Sequence, residues 1–232
     1  MDFALLTQDG LLFLFRWLHF FFGITWIGLL YYFNFVQGAF FNETDAATKS
    51  NAIQKLVPRA LWWFRWAAMF TFLTGWAYLG MKGHGGAEIF ATSWGVAILL
   101  GATLGSLMWA NVWFIIWPNQ KIVIASATQA AAGKAALPEA AAAGARAMVA
   151  SRTNTLFSIP MLFCMGAASH LNMNVSADSN FGLLAGVLAV IVGLIQLNAI
   201  KGKLGPMATV KGVIHMGFLL AIVLYVTMEV IL

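Results

Sequence analysis

The chain has 232 residues, of which 61% are hydrophobic and 9% charged, whereas charged residues make up about 25% of an ordinary soluble domain. Its mean hydropathy of +0.83 excludes a soluble globular domain and predicts a protein of the lipid bilayer. The net charge of +5 and the pI of about 9.6 do not indicate a nucleic-acid partner, because the basic residues are spread over loops rather than gathered on one face.

Apolar runs of about 20 residues, long enough to cross a bilayer core, recur along the chain. They leave no room for a soluble domain, so we expect an all-α fold in which residues 1–232 form a single polytopic membrane helix bundle. The sequence predicts about six transmembrane helices, near residues 13–37, 60–81, 92–117, 153–172, 180–200 and 209–231.

The first apolar run, LFLFRWLHFFFGITWIGLLYYFNFVQ, contains two residues that are costly in hydrocarbon, Arg16 and His19. His19 lies about five residues, or roughly 8 Å, inside the start of this segment. Gly23 follows one helical turn later and leaves room for another group to approach the backbone. Arg16 precedes His19 by three residues, nearer the membrane surface, where a guanidinium can bind a carboxylate with two hydrogen bonds.

A second set of polar residues is predicted in the other half of the bilayer: Asn34, Arg65, Asn111 and His215. Such a group suits a proton path, an anion or quinone pocket, or a second haem, and it equally suits structural hydrogen bonding between helices.

The charge distribution predicts how the helices are oriented. Basic residues in cytoplasmic loops follow the positive-inside rule, so both termini are expected outside, in the periplasm of a bacterial inner membrane. Residues 119–152 are rich in alanine and predict a cytoplasmic hairpin of two short helices broken at Pro138. The loops after the first, third and fifth segments contain Lys49, Lys55, Arg59, Lys121, Lys134, Arg146, Arg152, Lys201, Lys203 and Lys211, whereas the other loops contain Lys82.

The fourth segment ends with a second intramembrane histidine, His170, preceded one turn earlier by Gly166. Because this segment runs antiparallel to the first, His170 and His19 are predicted at the same depth below the outer surface. Two imidazoles about 4 Å apart, nitrogen to nitrogen, can bind one haem iron. Arg16 would then hold the propionates, and Gly23 and Gly166 would admit the ring. The alternative is that Arg16 snorkels to the headgroups and that both histidines form hydrogen bonds between helices.

Two further histidines are less suited to this site. His215 is predicted roughly 15–20 Å from the pair, given a bilayer core of about 30 Å, and His84 lies in the glycine-rich loop KGHGGAE. The single cysteine, Cys164, excludes a Cys-x-x-Cys-His haem attachment, so a haem would be a noncovalent haem b.

Three stretches, RWLHFFFGITWIGLLYYFNFVQ, MWANVWFIIWPNQK and NTLFSIPMLFCMGAASHLNM, together resemble the amino-terminal membrane domain of bacterial membrane-bound urate oxidases and related stand-alone proteins. The resemblance implies a multi-helix domain that, in the urate-oxidising members, precedes a periplasmic cytochrome c module. This chain ends at Leu232 without that module, and its predicted outward terminus lies on the side where one would attach.

We therefore expect an integral-membrane b-type haem protein that transfers electrons between a membrane donor and a periplasmic acceptor. Its expected partners are a periplasmic cytochrome c, subunits of a membrane complex, or a second copy of the chain. The alternatives are a cofactor-free structural or assembly subunit and a component of a urate- or purine-oxidising enzyme.

Overall fold

The computed structural model describes residues 3–232, which form α-helices joined by short turns and contain no strand. The helices are α1 (Gln8–Glu43), α2 (Ala46–Lys55), α3 (Val57–His84), α4 (Ser93–Ala131), α5 (Ala140–His170), α6 (Phe181–Lys201) and α7 (Val210–Ile231). Short 3₁₀ turns precede α1, α4 and α7, at Ala4–Leu6, Ala87–Ala91 and Gly205–Ala208. The all-α prediction is confirmed for this part of the chain.

Three of the long helices begin with the same local arrangement of a threonine cap and a glycine. The cap side chain of Thr7 accepts a hydrogen bond from the Gly10 amide, 3.1 Å away, and thereby satisfies one of the free N–H groups of the first turn. A Cβ at Gly10 would lie 2.1 Å from the Ala4 carbonyl oxygen, so the preceding 3₁₀ turn can fold back only onto a glycine. The same pair recurs as Thr92 with Gly95 and as Thr209 with Gly212.

Within residues 3–232, four helices are long and apolar enough to cross a membrane: α1, α4, α6 and α7. The two remaining predicted spans, near 60–81 and 153–172, fall in α3 and α5. These are long helices of 28 and 31 residues, but they carry more polar and charged side chains.

Packing arranges the helices around α5. Helix α1 lies along α3, whereas α5 packs against α4 and α7. Cys164 and Met165 of α5 approach Gly101 of α4, and Ile159 of α5 fills the space that a side chain at Gly217 of α7 would need. Glycine at these contacts lets the helix backbones come close, as is common in membrane bundles.

Two π-helical segments interrupt the apolar helices α1 and α4, at Tyr32–Gln37 and at Asn111–Ile116. Each contains a buried asparagine, Asn34 or Asn111. A π-helical turn leaves backbone groups in altered register, and such turns occur frequently at functional sites.

The alanine-rich segment 119–152 differs in detail from the predicted hairpin of two short helices. Helix α4 continues from the bundle to Ala131, and α5 begins at Ala140 and runs without a break to His170. The turn between them contains Pro138, the predicted breakpoint. Alanine is the best helix former, and a row of buried alanines on α5 packs against the end of α4, so each predicted short helix extends its neighbouring span.

Candidate functional site

A cavity of about 660 Å³ lies between α1, α3, α4 and α5, in the half of the bundle where α1 and α4 begin and α3 and α5 end. We call this half the cavity end, and the opposite half, which carries most of the basic residues, the basic end. The volume falls within the range of about 300–1,000 Å³ that is usual for small-molecule and cofactor sites.

The structure brings together all five residues that the sequence singled out for one site. They come from α1 and from the end of α5, which are far apart in the chain and run antiparallel. The cavity wall contains Arg16, His19, Gly23, Gly166 and His170.

His19 is held by a hydrogen bond to the neighbouring helix. Its Nδ1 atom lies 2.9 Å from the carbonyl oxygen of Thr71 on α3. Because a carbonyl can only accept, Nδ1 carries the proton and the lone pair of Nε2 remains free. Histidines that ligate metals are commonly fixed in this way by a backbone carbonyl, which selects the tautomer and orients the ring.

Gly75 makes this contact sterically possible. A Cβ at position 75 would lie 2.9 Å from Cε1 and 3.1 Å from Nδ1 of His19, closer than side-chain carbons normally approach. The absence of a side chain at Gly75 therefore lets the imidazole lie against α3, one turn beyond Thr71.

His170 is the last residue of α5 and is exposed at the edge of the cavity. The chain that follows it is fixed by Ser93 at the start of α4. The Ser93 hydroxyl donates to the Leu171 carbonyl at 3.2 Å and accepts from the Met173 amide at 2.8 Å. These two bonds fix the position at which α5 ends beside α4.

Arg16 lies at the mouth of the cavity, where its side chain is exposed. Its Nη2 donates a hydrogen bond to the Tyr78 hydroxyl, and its guanidinium carbon lies 5.0 Å from the centre of the Tyr78 ring. Tyr78 thus orients the guanidinium, whose other N–H groups can still bind an anionic group.

Several glycines leave open space in the wall. A Cβ at Gly28, Gly105 or Gly166 would meet no atom within 4 Å, and one at Gly23 would meet Thr71 Cγ2 at 3.8 Å. Packing between protein groups therefore does not account for glycine at the first three positions. The open space in front of them is large enough to admit the face or edge of a ligand.

Trp26 is the most deeply buried aromatic residue of the wall, with 2% of its surface exposed. Its indole Nε1–H is buried and has no hydrogen-bond partner within residues 3–232. Buried indole N–H groups usually have a partner, so a donor remains available in the cavity.

The donor set of the cavity consists of two imidazoles. Elsewhere in residues 3–232 there is no group of three or more His, Cys, Asp or Glu side chains placed to hold a metal ion. A protein-only metal site needs three or four such ligands. Two imidazoles beside open glycine faces instead suit a cofactor that brings its own equatorial ligands, such as a porphyrin.

The four residues of the predicted second polar group have separate surroundings. Asn34 donates to Ser151 Oγ at 2.8 Å, whereas the Arg65 guanidinium stacks 3.9 Å from the Trp117 ring. His215 is exposed on α7. In the described part of the chain no hydrogen bond joins any two of Asn34, Arg65, Asn111 and His215.

Asn111 belongs to a different buried network. It donates to Asn154 Oδ1 at 2.9 Å and exchanges two hydrogen bonds with Gln196, of 3.1 and 2.7 Å. Asn154 in turn donates to the Met108 carbonyl. This network joins α4, α5 and α6, and the sequence analysis included Asn111 without its two partners.

Sequence reasoning missed the α3 wall of the cavity. Thr71, Gly75 and Tyr78 contact His19 or Arg16, and their spacing of four and three residues places them on one face of a helix. That spacing was visible in the sequence, but a threonine, a glycine and a tyrosine are common in membrane helices and carry no distinctive signal alone.

Comparison with known proteins gives one family match. The family model described as urate oxidase N-terminal matches residues 83–227, which is more than half of the chain. This confirms the resemblance predicted from the sequence. The match includes Gly166 and His170, whereas Arg16, His19 and Gly23 precede it. No curated protein and no solved structure matches the chain.

Proposed function

The chain belongs to the urate oxidase N-terminal family, and from this premise and the cavity we propose that it is an integral-membrane b-type haem protein. In this proposal it carries electrons between a membrane donor and a periplasmic acceptor, such as a cytochrome c. One observation carries the proposal: two histidines, an arginine and two glycines, chosen from sequence spacing and depth, line a single cavity.

His19 and His170 are the proposed axial ligands. The bond from His19 Nδ1 to the Thr71 carbonyl supports this role, because it leaves Nε2 free to coordinate. His170 lies at the end of α5, where the bonds of Ser93 to the following residues fix the chain. When bound, haem iron supplies one-electron redox chemistry, with a potential set by its axial ligands and their surroundings.

Arg16 is the proposed partner of the propionates. Its exposed position at the mouth of the cavity places a permanent positive charge where the carboxylates of a haem would reach the membrane surface. Tyr78 orients the guanidinium, and the open faces of Gly23 and Gly166 provide room for the ring.

We further propose six membrane spans, with α3 and α5 joining the four most apolar helices, and both termini on the periplasmic side of a bacterial inner membrane. The support is the concentration of basic residues at the basic end. Fusion of alkaline phosphatase or of green fluorescent protein after Leu232 tests this orientation. An active phosphatase and a dark fluorescent protein are expected, and the reverse pattern would reject it.

A second candidate function is a role in the oxidation of urate or another purine. The name of the family favours it, and the proposed electron transfer is compatible with it. Purified protein incubated with urate and an oxidised cytochrome c should then reduce the cytochrome, and an unchanged cytochrome spectrum would count against this candidate.

The proposal is tested by the visible spectrum and iron content of protein purified in mild detergent after expression with a haem precursor. We expect a Soret band, α and β bands on reduction, and close to one iron per chain. A colourless, iron-free protein would reject the proposal and favour a cofactor-free structural or assembly subunit.

A further inference from the structure

We propose that the cavity also binds an isoprenoid quinone, which enters sideways from the bilayer between α1 and α5. The proposal concerns binding, and it rests on the proposed function, which requires a membrane donor. The structural basis is the opening between these two helices together with the unpartnered indole N–H of Trp26.

Helices α1 and α5 are joined toward the basic end and separate above that point. Tyr31 Oη lies 2.9 Å from Ser158 Oγ, and Asn34 donates to Ser151 Oγ at 2.8 Å. One turn above Tyr31, toward the cavity end, the wall of α1 is Gly28, which is exposed and has open space in front of it. The hydroxyl pair therefore forms the lower limit of the gap.

The edges of the gap are apolar and lie on the bilayer-facing surface. Ile24 of α1 and Leu162 of α5 both line the cavity, yet 75% and 48% of their surfaces are exposed. Gly166, one turn above Leu162, is exposed and leaves open space as well. A cavity whose walls continue onto the surface of a membrane helix bundle is accessible to molecules dissolved in the lipid.

Trp26 indicates which class of lipid-soluble molecule fits. Its buried N–H requires a hydrogen-bond acceptor. An acyl chain offers none at this depth, whereas the ring of a quinone offers carbonyl oxygens and a flat face that packs against the aromatic and glycine residues of the wall.

The same N–H is not expected to be satisfied by the proposed haem. The acceptors of haem b are its propionates, which are assigned to Arg16. Trp26 lies ten residues further along α1, roughly 15 Å at the rise of an α-helix, and about 10 Å beyond His19. The quinone would therefore occupy the lower part of the cavity, beside Gly28 and Leu162, and the haem the upper part.

Photolabelling of the protein in lipid nanodiscs, with a ubiquinone analogue that carries an aryl azide, tests the proposal. We expect labelled residues on α1 between Gly23 and Gly28 and on α5 between Leu162 and Gly166, and we expect unlabelled decylubiquinone to compete. Gly28→Leu, which fills the gap, should reduce the labelling by about tenfold or more. Gly80→Leu is the matched control, since Gly80 is exposed on α3, has open space and does not line the cavity.

Trp26→Phe keeps an aromatic ring but removes the donor, and should raise the concentration of decylubiquinone needed for competition by roughly fivefold. Labelling spread evenly over all bilayer-facing helices, or equal in wild type and Gly28→Leu, would overturn the proposal. The Soret absorbance of the same samples separates the two hypotheses, because labelling of a haem-free protein would reject the haem and retain the quinone site.

Discussion

The Nδ1 atom of His19 lies 2.9 Å from the Thr71 carbonyl oxygen, and the space that permits this contact is the missing side chain of Gly75. One helix thus supplies the imidazole and its neighbour supplies both the acceptor and the room. The ring is fixed before any ligand binds, which reduces the entropy that ligand binding would otherwise cost.

Gly75→Ala should displace the His19 ring, because the new methyl group would lie 2.9 Å from Cε1. Loss of the orienting contact to a metal-ligating histidine typically costs about 10–100-fold in affinity, so we expect haem to be lost to apomyoglobin about that much more readily. The measurement is haem transfer followed by absorbance. Gly80→Ala on the same helix is the control and should transfer haem at the wild-type rate, and an equal rate in Gly75→Ala would contradict the orienting role.

The histidine pair makes a second prediction. Replacing His19 or His170 by alanine removes one of the two proposed axial ligands, so the low-spin Soret spectrum of the wild type should disappear. His215→Ala and His84→Ala should retain it, since both side chains are exposed and neither lines the cavity. A spectrum that survives the first two substitutions but not His215→Ala would move the haem to the basic end.

The sequence was informative where the membrane makes a residue costly. Arg16 and His19 stand out because hydrocarbon disfavours them, and their depth can be counted along a helix, so their convergence with His170 at one cavity could be anticipated. The helix positions followed from apolar run lengths for the same reason.

The neighbours of those residues could not be read from the sequence. Thr71, Gly75 and Tyr78 are ordinary residues of an apolar helix, and their importance depends on how α3 is rotated against α1, which no local pattern specifies. The predicted grouping of Arg65 with His215 rested on depth alone. Helix rotation decides such pairs too, and it turns Arg65 toward Trp117 and leaves His215 exposed.

The Arg16–Tyr78 pair makes a third prediction. Arg16→Leu removes the cation at the mouth of the cavity and should weaken haem binding by roughly fivefold, or about 1 kcal/mol, a modest effect because the site is exposed to solvent. Tyr78→Phe keeps the ring beneath the guanidinium and removes the hydroxyl, so it should have a smaller effect of the same sign. Haem titration of apoprotein measures both, and tighter binding by Arg16→Leu would contradict a propionate contact.

The buried amide network makes the fourth prediction. Asn154 accepts from Asn111 and donates to the Met108 carbonyl, and all of its surface is buried. Asn154→Ala leaves both partners without those bonds, and the free energy of unfolding should fall by about 1–2 kcal/mol, the upper range for hydrogen bonds between membrane helices. Thr103→Ala is the control, since its exposed hydroxyl bonds the Leu99 carbonyl of its own helix, and its effect should stay within about 0.5 kcal/mol. Denaturation in sodium dodecyl sulfate followed by circular dichroism measures both variants, and equal midpoints would show that the network does not hold α4 and α5 together.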